Sequence, residues 1–163
     1  MALRTILKQI KAKQLFGFFR FFIRHPLFAV STFFATVKTY KIAEKEFAKI
    51  HGKHNKANAF RHALWNALIA KSCSTYSNNK EKIIRWAKNV TDWHEELFVN
   101  ESLSREMDLH NNQIGRDLFL NNDKISSEEL TNVLLKSLNS AVLVFSLKDI
   151  SEATNVLVYL EES

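Results

Sequence analysis

The run Asn58-Ala-Phe-Arg-His-Ala-Leu-Trp-Asn-Ala-Leu-Ile69 constrains this chain more than any other stretch. At about 100° per residue, Asn58, Arg61, His62, Trp65 and Asn66 share one face of a helix over residues 57–72. The opposite arc holds Phe60, Ala63, Leu64 and Ala67, an apolar core stripe. A solvated face would carry Lys and Glu. This one carries Arg, His, two Asn and a Trp, with Ile69 among them. Trp and Ile avoid open water, so the polar groups beside them are expected to be half-buried and to need partners.

Two further helices offer such partners. Over residues 80–98, Ile83, Trp86, Ala87, Val90, Trp93, His94 and Leu97 form a stripe at helical spacing. His94 is its titratable member, Glu95 stands at its edge, and Glu96 points to solvent. Over residues 104–121, Asp108, Asn112 and Arg116 fall at i, i+4 and i+8, with Asn111 and Gly115 flanking that line. A glycine inside a helix costs about 1 kcal/mol, so Gly115 predicts close approach of another element. His110 points elsewhere in a regular helix, and a break at Asn111-Asn112 would turn it inward.

The rest of the chain frames these three helices. Three Gly and one Pro in 163 residues exclude a loop-rich β protein and favour a helical one. Ser126 or Ser127 caps a later helix with Glu129 in its first turn and Leu130, Val133, Leu134 and Leu138 as its stripe. Residues 141–145 and 156–160 are rich in Val and Leu. They fit two short strands or a last helix, and periodicity does not decide between them. The fold class is therefore mainly α, a single-domain helical bundle.

Residues 1–37 form a basic, Phe-rich amphipathic segment, and residues 38–163 a helical domain carrying the polar site. Residues 2–24 read as a helix that Pro26 ends or kinks near His25. Leu27 to Val37 is a second apolar run, and residues 38–50 a basic amphipathic helix. The net charge of +6 is uneven: residues 1–56 hold 12 Lys/Arg and two acids. Eight of the 13 Phe lie between Phe16 and Phe34. Positive charge beside clustered aromatics points to an anionic membrane surface or phospholipid, with nucleic acid the other candidate partner. The alternative is that these Phe pack on the domain. No apolar run reaches the roughly 18 residues of a spanning helix, so an interfacial segment fits better than a crossing one. The split apolar run also makes a poor signal peptide.

Three inward faces bearing Arg61, His62 and Asn66, then His94 and Glu95, then Asp108, His110, Asn112 and Arg116 make a chemical constellation. The single Cys73 excludes an intramolecular disulfide framework and a multi-Cys zinc site, and favours a reducing compartment. Cys73 has no activating partner and is expected to be inert. A divalent metal (Zn, Mn or Fe) would be held by His62, His94, Asp108 and His110. His62, His94, Glu95 and Asp108 are the candidates for catalysis, through acid–base work or metal-bound water. Arg61 and Arg116 would hold phosphate with their planar forks, and Trp65, Asn66, Asn111 and Asn112 would complete the substrate side. No His-x-x-x-His or Glu-x-x-His spacing is present, nor a Gly-rich phosphate loop or a nucleophile elbow. His51 and His54 flank the turn before the first site helix and read as solvated. A purely structural buried network is the competing reading. Yet buried ion networks seldom add stability over an apolar core, so a small domain that keeps one is expected to use it.

The runs Asn58-Ala-Phe-Arg-His-Ala-Leu-Trp-Asn66, His94-Glu95 and Met107-Asp-Leu-His-Asn-Asn-Gln-Ile-Gly-Arg116 resemble a family of uncharacterised bacterial α-helical domains. The resemblance covers residues 55–120. It implies that Arg61, His62, Trp65, Asn66, His94, Glu95, Asp108, Asn111, Asn112, Gly115 and Arg116 belong to one site, and it supplies no activity. The leading expectation is a phosphoester hydrolase, with phospholipid among its substrates, in the cytoplasm or on the cytoplasmic face of a membrane. The alternatives are a secreted antibacterial effector toxin or nuclease, which an immunity protein would partner, and a non-enzymatic membrane-associated binding module.

Overall fold

The computed structural model describes residues 20–48, 54–97 and 101–161. Most of the expected helix over residues 2–24 lies outside them, as does His51. Residues 20–24 are helical, His25 breaks the ladder, and Pro26 opens helix α1, Pro26–Phe47. Proline fits that first position because its missing N–H has no intrahelical partner there. Helix α1 runs unbroken through Val37 and Lys38, so the apolar run and the basic stretch are successive parts of one helix.

Helix α2, Lys56–Cys73, is the central element. Asn55 caps it by accepting from the Asn58 backbone N–H at 3.2 Å. Around it pack α1, α3 (Lys80–Leu97), α4 (Ser102–Asn121) and α5 (Ser127–Ser137). Helix α2 is therefore buried on both faces: Phe60, Ala63, Leu64 and Ala67 on one arc, His62, Asn66 and Ile69 on the other. Each large apolar side chain so buried contributes about 1.5–3 kcal/mol. Gly115 of α4 meets the α2 backbone directly, since a β-carbon there would lie 2.0 Å from the Ala63 carbonyl oxygen. Helix α5 starts at a capping box, with Ser126 accepting from the Glu129 N–H and Glu129 accepting from the Ser126 N–H.

The C-terminal question resolves in favour of strands, with a short helix between them. Strands β1 (Val142–Leu143) and β2 (Val158–Tyr159) pair in parallel, joined through α6 (Leu147–Glu152). Parallel pairing requires such a crossover. Val144, Ile150 and Val158 cluster with Met107 of α4. Beyond β2, the Leu160 N–H donates to the His54 carbonyl at 2.8 Å, which ties the chain end to the start of α2.

The Phe-rich segment divides. Phe21 stacks on Trp86 with ring centroids 4.3 Å apart, and Phe22 and Phe28 meet the same indole. Phe33 and Phe34 turn outward instead.

Candidate functional site

A ring of polar side chains from α2, α3 and α4 lies in the interior at His62. Arg61 can only donate, and its Nη2 meets His62 Nε2 at 3.0 Å. Nε2 is therefore the acceptor, and Nδ1 carries the proton toward Asn112 Oδ1 at 3.2 Å. The Arg61 fork also donates to Asn58 Oδ1. Asn58 Nδ2 in turn donates to Asp108 Oδ1 at 3.0 Å. Asp108 Oδ1 lies 3.3 Å from His62 Nε2, and Glu95 Oε1 lies 3.5 Å from His62 Nδ1. Asn112 Nδ2 donates to Glu95 Oε1 at 3.3 Å, closing the ring.

Burial sets the charges in this ring. Burial first, then the Arg61 charge and His94, push the His62 imidazole well below its ordinary range. His62 is thus neutral at pH 7, and its contacts with Glu95 and Asp108 are not ion pairs. Burial and then the Asp108 carboxylate raise Glu95 to about 8, so Glu95 carries a proton at pH 7. Burial and Arg61 lower His94 to about 4, which keeps it neutral.

Behind the ring lies a second layer. Asn66 Nδ2 donates to Asn112 Oδ1 at 2.7 Å, and Asn66 Oδ1 accepts from Arg116 Nη1 at 2.9 Å and Thr91 Oγ1 at 3.2 Å. Arg116 Nη2 donates to Gln113 Oε1 at 2.7 Å. Buried and engaged in this way, Arg116 positions Asn66 and, through it, Asn112.

The remaining expected residues sit apart. Because α4 is regular, His110 points away from the ring, and its Nε2 meets the Val156 carbonyl at 2.8 Å. Asn111 pairs with the β2 backbone, donating to the Val158 carbonyl at 2.9 Å and accepting from its N–H at 3.0 Å. Trp65 donates to Thr36 Oγ1 at 2.8 Å, and its ring and the His94 imidazole stand edge to face with centroids 5.1 Å apart. His94 is half-buried, whereas Glu95, read as an edge residue, is buried in the ring. His54 is half-buried rather than solvated.

Thr91, buried and bonded to Asn66, joins the site without any signal from its own residue type. It lies one helical turn before Glu95, a spacing that could have found it. Cys73 is buried, and burial pushes its thiol up to about 12, which makes it inert at neutral pH.

Among the described residues, the metal-competent group is His62, Glu95 and Asp108, whose ligand atoms all lie within 4.8 Å of one another. It includes neither His94 nor His110. A cavity of about 520 Å³ lined by Phe21, His25, Phe28, Lys82, Arg85 and Trp86 shares no residue with this group.

Fold and ring together define a helical domain built around one buried polar helix. The chain belongs to a domain family of unknown function, DUF6973, whose model matches residues 19–142. The match extends on both sides of the residue 55–120 stretch that carries the resemblance in sequence, and it takes in the exposed Phe pair of α1. No curated protein and no solved structure matches the chain.

Proposed function

We propose that His62, Glu95 and Asp108 hold a divalent metal ion and that the domain hydrolyses a phosphoester. One observation carries this reading. His62 Nε2 and Asp108 Oδ1 are both acceptors, they face each other at 3.3 Å, and they are buried. With metal–ligand bonds of about 2.1 Å and an angle near 105° between them, neighbouring ligands stand about 3.3 Å apart. Glu95, on a third helix, brings a carboxylate oxygen within 4.8 Å of the other ligand atoms, which would leave coordination positions for water and substrate. Asn58 on Asp108 and Asn112 on Glu95 orient the ligands from behind.

The metal would lower the pKa of its bound water and polarise the phosphoryl oxygen. Arg61, now on His62 Nε2, would give that nitrogen up to the ion and turn its fork to phosphate oxygens. His94, half-buried beside Trp65 and close enough for its charge to bear on His62, would accept the proton of an attacking water and pass it to the leaving oxygen. Phosphodiester hydrolysis by the full chain, lost on chelation and restored by Zn, Mn or Fe(II), tests this reading. Absence of hydrolysis across phosphomonoester, phosphodiester and phospholipid substrates with each metal present would overturn it.

A second reading has its own support. Asn66, Thr91, Asn112 and Arg116 bond to one another as a fold-specifying network would, with the Arg116 Nε–H left over among their buried polar atoms. On that reading the whole ring is structural, and Glu95→Gln and Asp108→Asn leave the protein's behaviour toward metals unchanged.

A further inference from the structure

Helix α1 buries Phe28, Ala35 and Thr39 on one side and turns an apolar stripe outward on another. Phe33 and Phe34 are each 64% exposed, and Leu27, Val30 and Val37 are exposed on the same side. Positions 27, 30, 34 and 37 lie above one another on the helix, with Phe33 beside them. A contiguous apolar stripe of this kind is an interaction surface.

Charge selects the occupant. Residues 1–43 contain eight Lys/Arg and neither Asp nor Glu. Arg20 and Arg24 are exposed before the stripe, and Lys38 and Lys41 after it. A second copy docked through the same face would set cations against cations. Residues 1–19 would bring Arg4, Lys8, Lys11 and Lys13 and no acid. An anionic lipid surface supplies the opposite charge and receives the Phe pair at its acyl boundary.

We propose that this face of α1 docks in the interface of an anionic membrane, with the helix lying in the plane of the surface. None of the described helices is long and apolar enough to cross a membrane. The docked face borders the polar ring. Tyr40, on the same helix, lies under the Arg61 guanidinium at 5.9 Å, and Thr36 accepts from Trp65. The docking stands whether or not the ring hydrolyses anything.

Flotation of the full chain with vesicles of phosphatidylcholine alone, and of phosphatidylcholine mixed with phosphatidylglycerol, tests it. The partner measurement is light-scattering mass without lipid. The variant carries Phe33→Ser and Phe34→Ser, whose exposure leaves the core intact, and circular dichroism checks the fold. The wild type is expected to be monomeric, to float with the anionic vesicles and to lose flotation as salt rises. The double variant is expected to partition at least about tenfold less. A wild type that stays unbound from anionic vesicles overturns the proposal. So does a double variant that floats like the wild type, or a wild-type dimer that the double variant dissociates.

Discussion

A β-carbon on Gly115 would stand 2.0 Å from the carbonyl oxygen of Ala63, so α4 crosses α2 with backbone nearly against backbone. That contact lets short side chains such as Asn66 and Asn112 reach across and bond directly. Gly115→Ala must push the helices apart, and overpacking of this kind costs about 3 kcal/mol or more because the obstacle is backbone. Thermal unfolding is expected to show a midpoint lowered by roughly 6–12 °C. An unchanged midpoint would contradict the close crossing.

Glu95 gives the metal-free protein a signature in pH. Its carboxyl is raised from an ordinary 4.5 to about 8, so between those values the folded state holds a proton that the unfolded state has lost. Stability from this group is present at low pH and declines as pH rises through that window. His94, lowered to about 4, and His62 act in the opposite sense up to their ordinary 6.5. From pH 6.5 to 8 the Glu95 effect stands alone, on the order of 2 kcal/mol of lost stability. Glu95→Gln mimics the protonated acid and is expected to flatten denaturant midpoints over that range. A wild type equally stable at pH 6.5 and pH 8 would refute the buried, protonated Glu95.

His94→Ala separates chemistry from folding. His94 packs edge to face with Trp65 and is half-buried, and its loss is expected to leave the polar ring intact. Hydrolysis is expected to fall by roughly 10²–10⁴-fold, the range for a lost general base, while the unfolding midpoint moves by only a few degrees. Full activity in this variant would remove His94 from the mechanism.

Arg116→Met removes one of the two donors to the buried Asn66 Oδ1 and leaves only Thr91, while the exposed Gln113 turns to water. Each unsatisfied buried group costs about 1–3 kcal/mol. A less stable protein is expected, whose residual folded fraction still binds metal, since Arg116 does not touch the ligand set. Loss of metal affinity without loss of stability would assign Arg116 a direct role.

Much of this arrangement was legible in the residues. The i, i+4, i+8 line of Asp108, Asn112 and Arg116 faces the Asn58–Asn66 stripe, because helical spacing fixes direction once both helices are regular. Gly115 announced the close crossing through its cost inside a helix. What spacing could not reveal was which elements cover a helix from its other sides. Asn111 and His110 turn toward β2 and the residues before it, and the pattern of residues 141–160 left strand and helix open. The stripe of α3 also tightens on its ring side. Thr91 and Glu95 bury there while His94 stays half-exposed, because the bonds to Asn66 and Asn112 override apolar periodicity.

Calorimetric titration of the metal-free full chain with Zn²⁺, Mn²⁺ or Fe²⁺ near pH 7 tests the central claim most directly. Repeating it in buffers of different ionisation enthalpy counts the protons released. One ion per chain is expected to bind with release of about one proton, from Glu95, as its carboxyl becomes a ligand. Glu95→Gln is expected to bind more weakly and release no proton, and Asp108→Asn to lose affinity while remaining folded. A folded wild type that binds none of these metals, or that binds one without proton release and equally well in both variants, would contradict a metal at His62, Glu95 and Asp108.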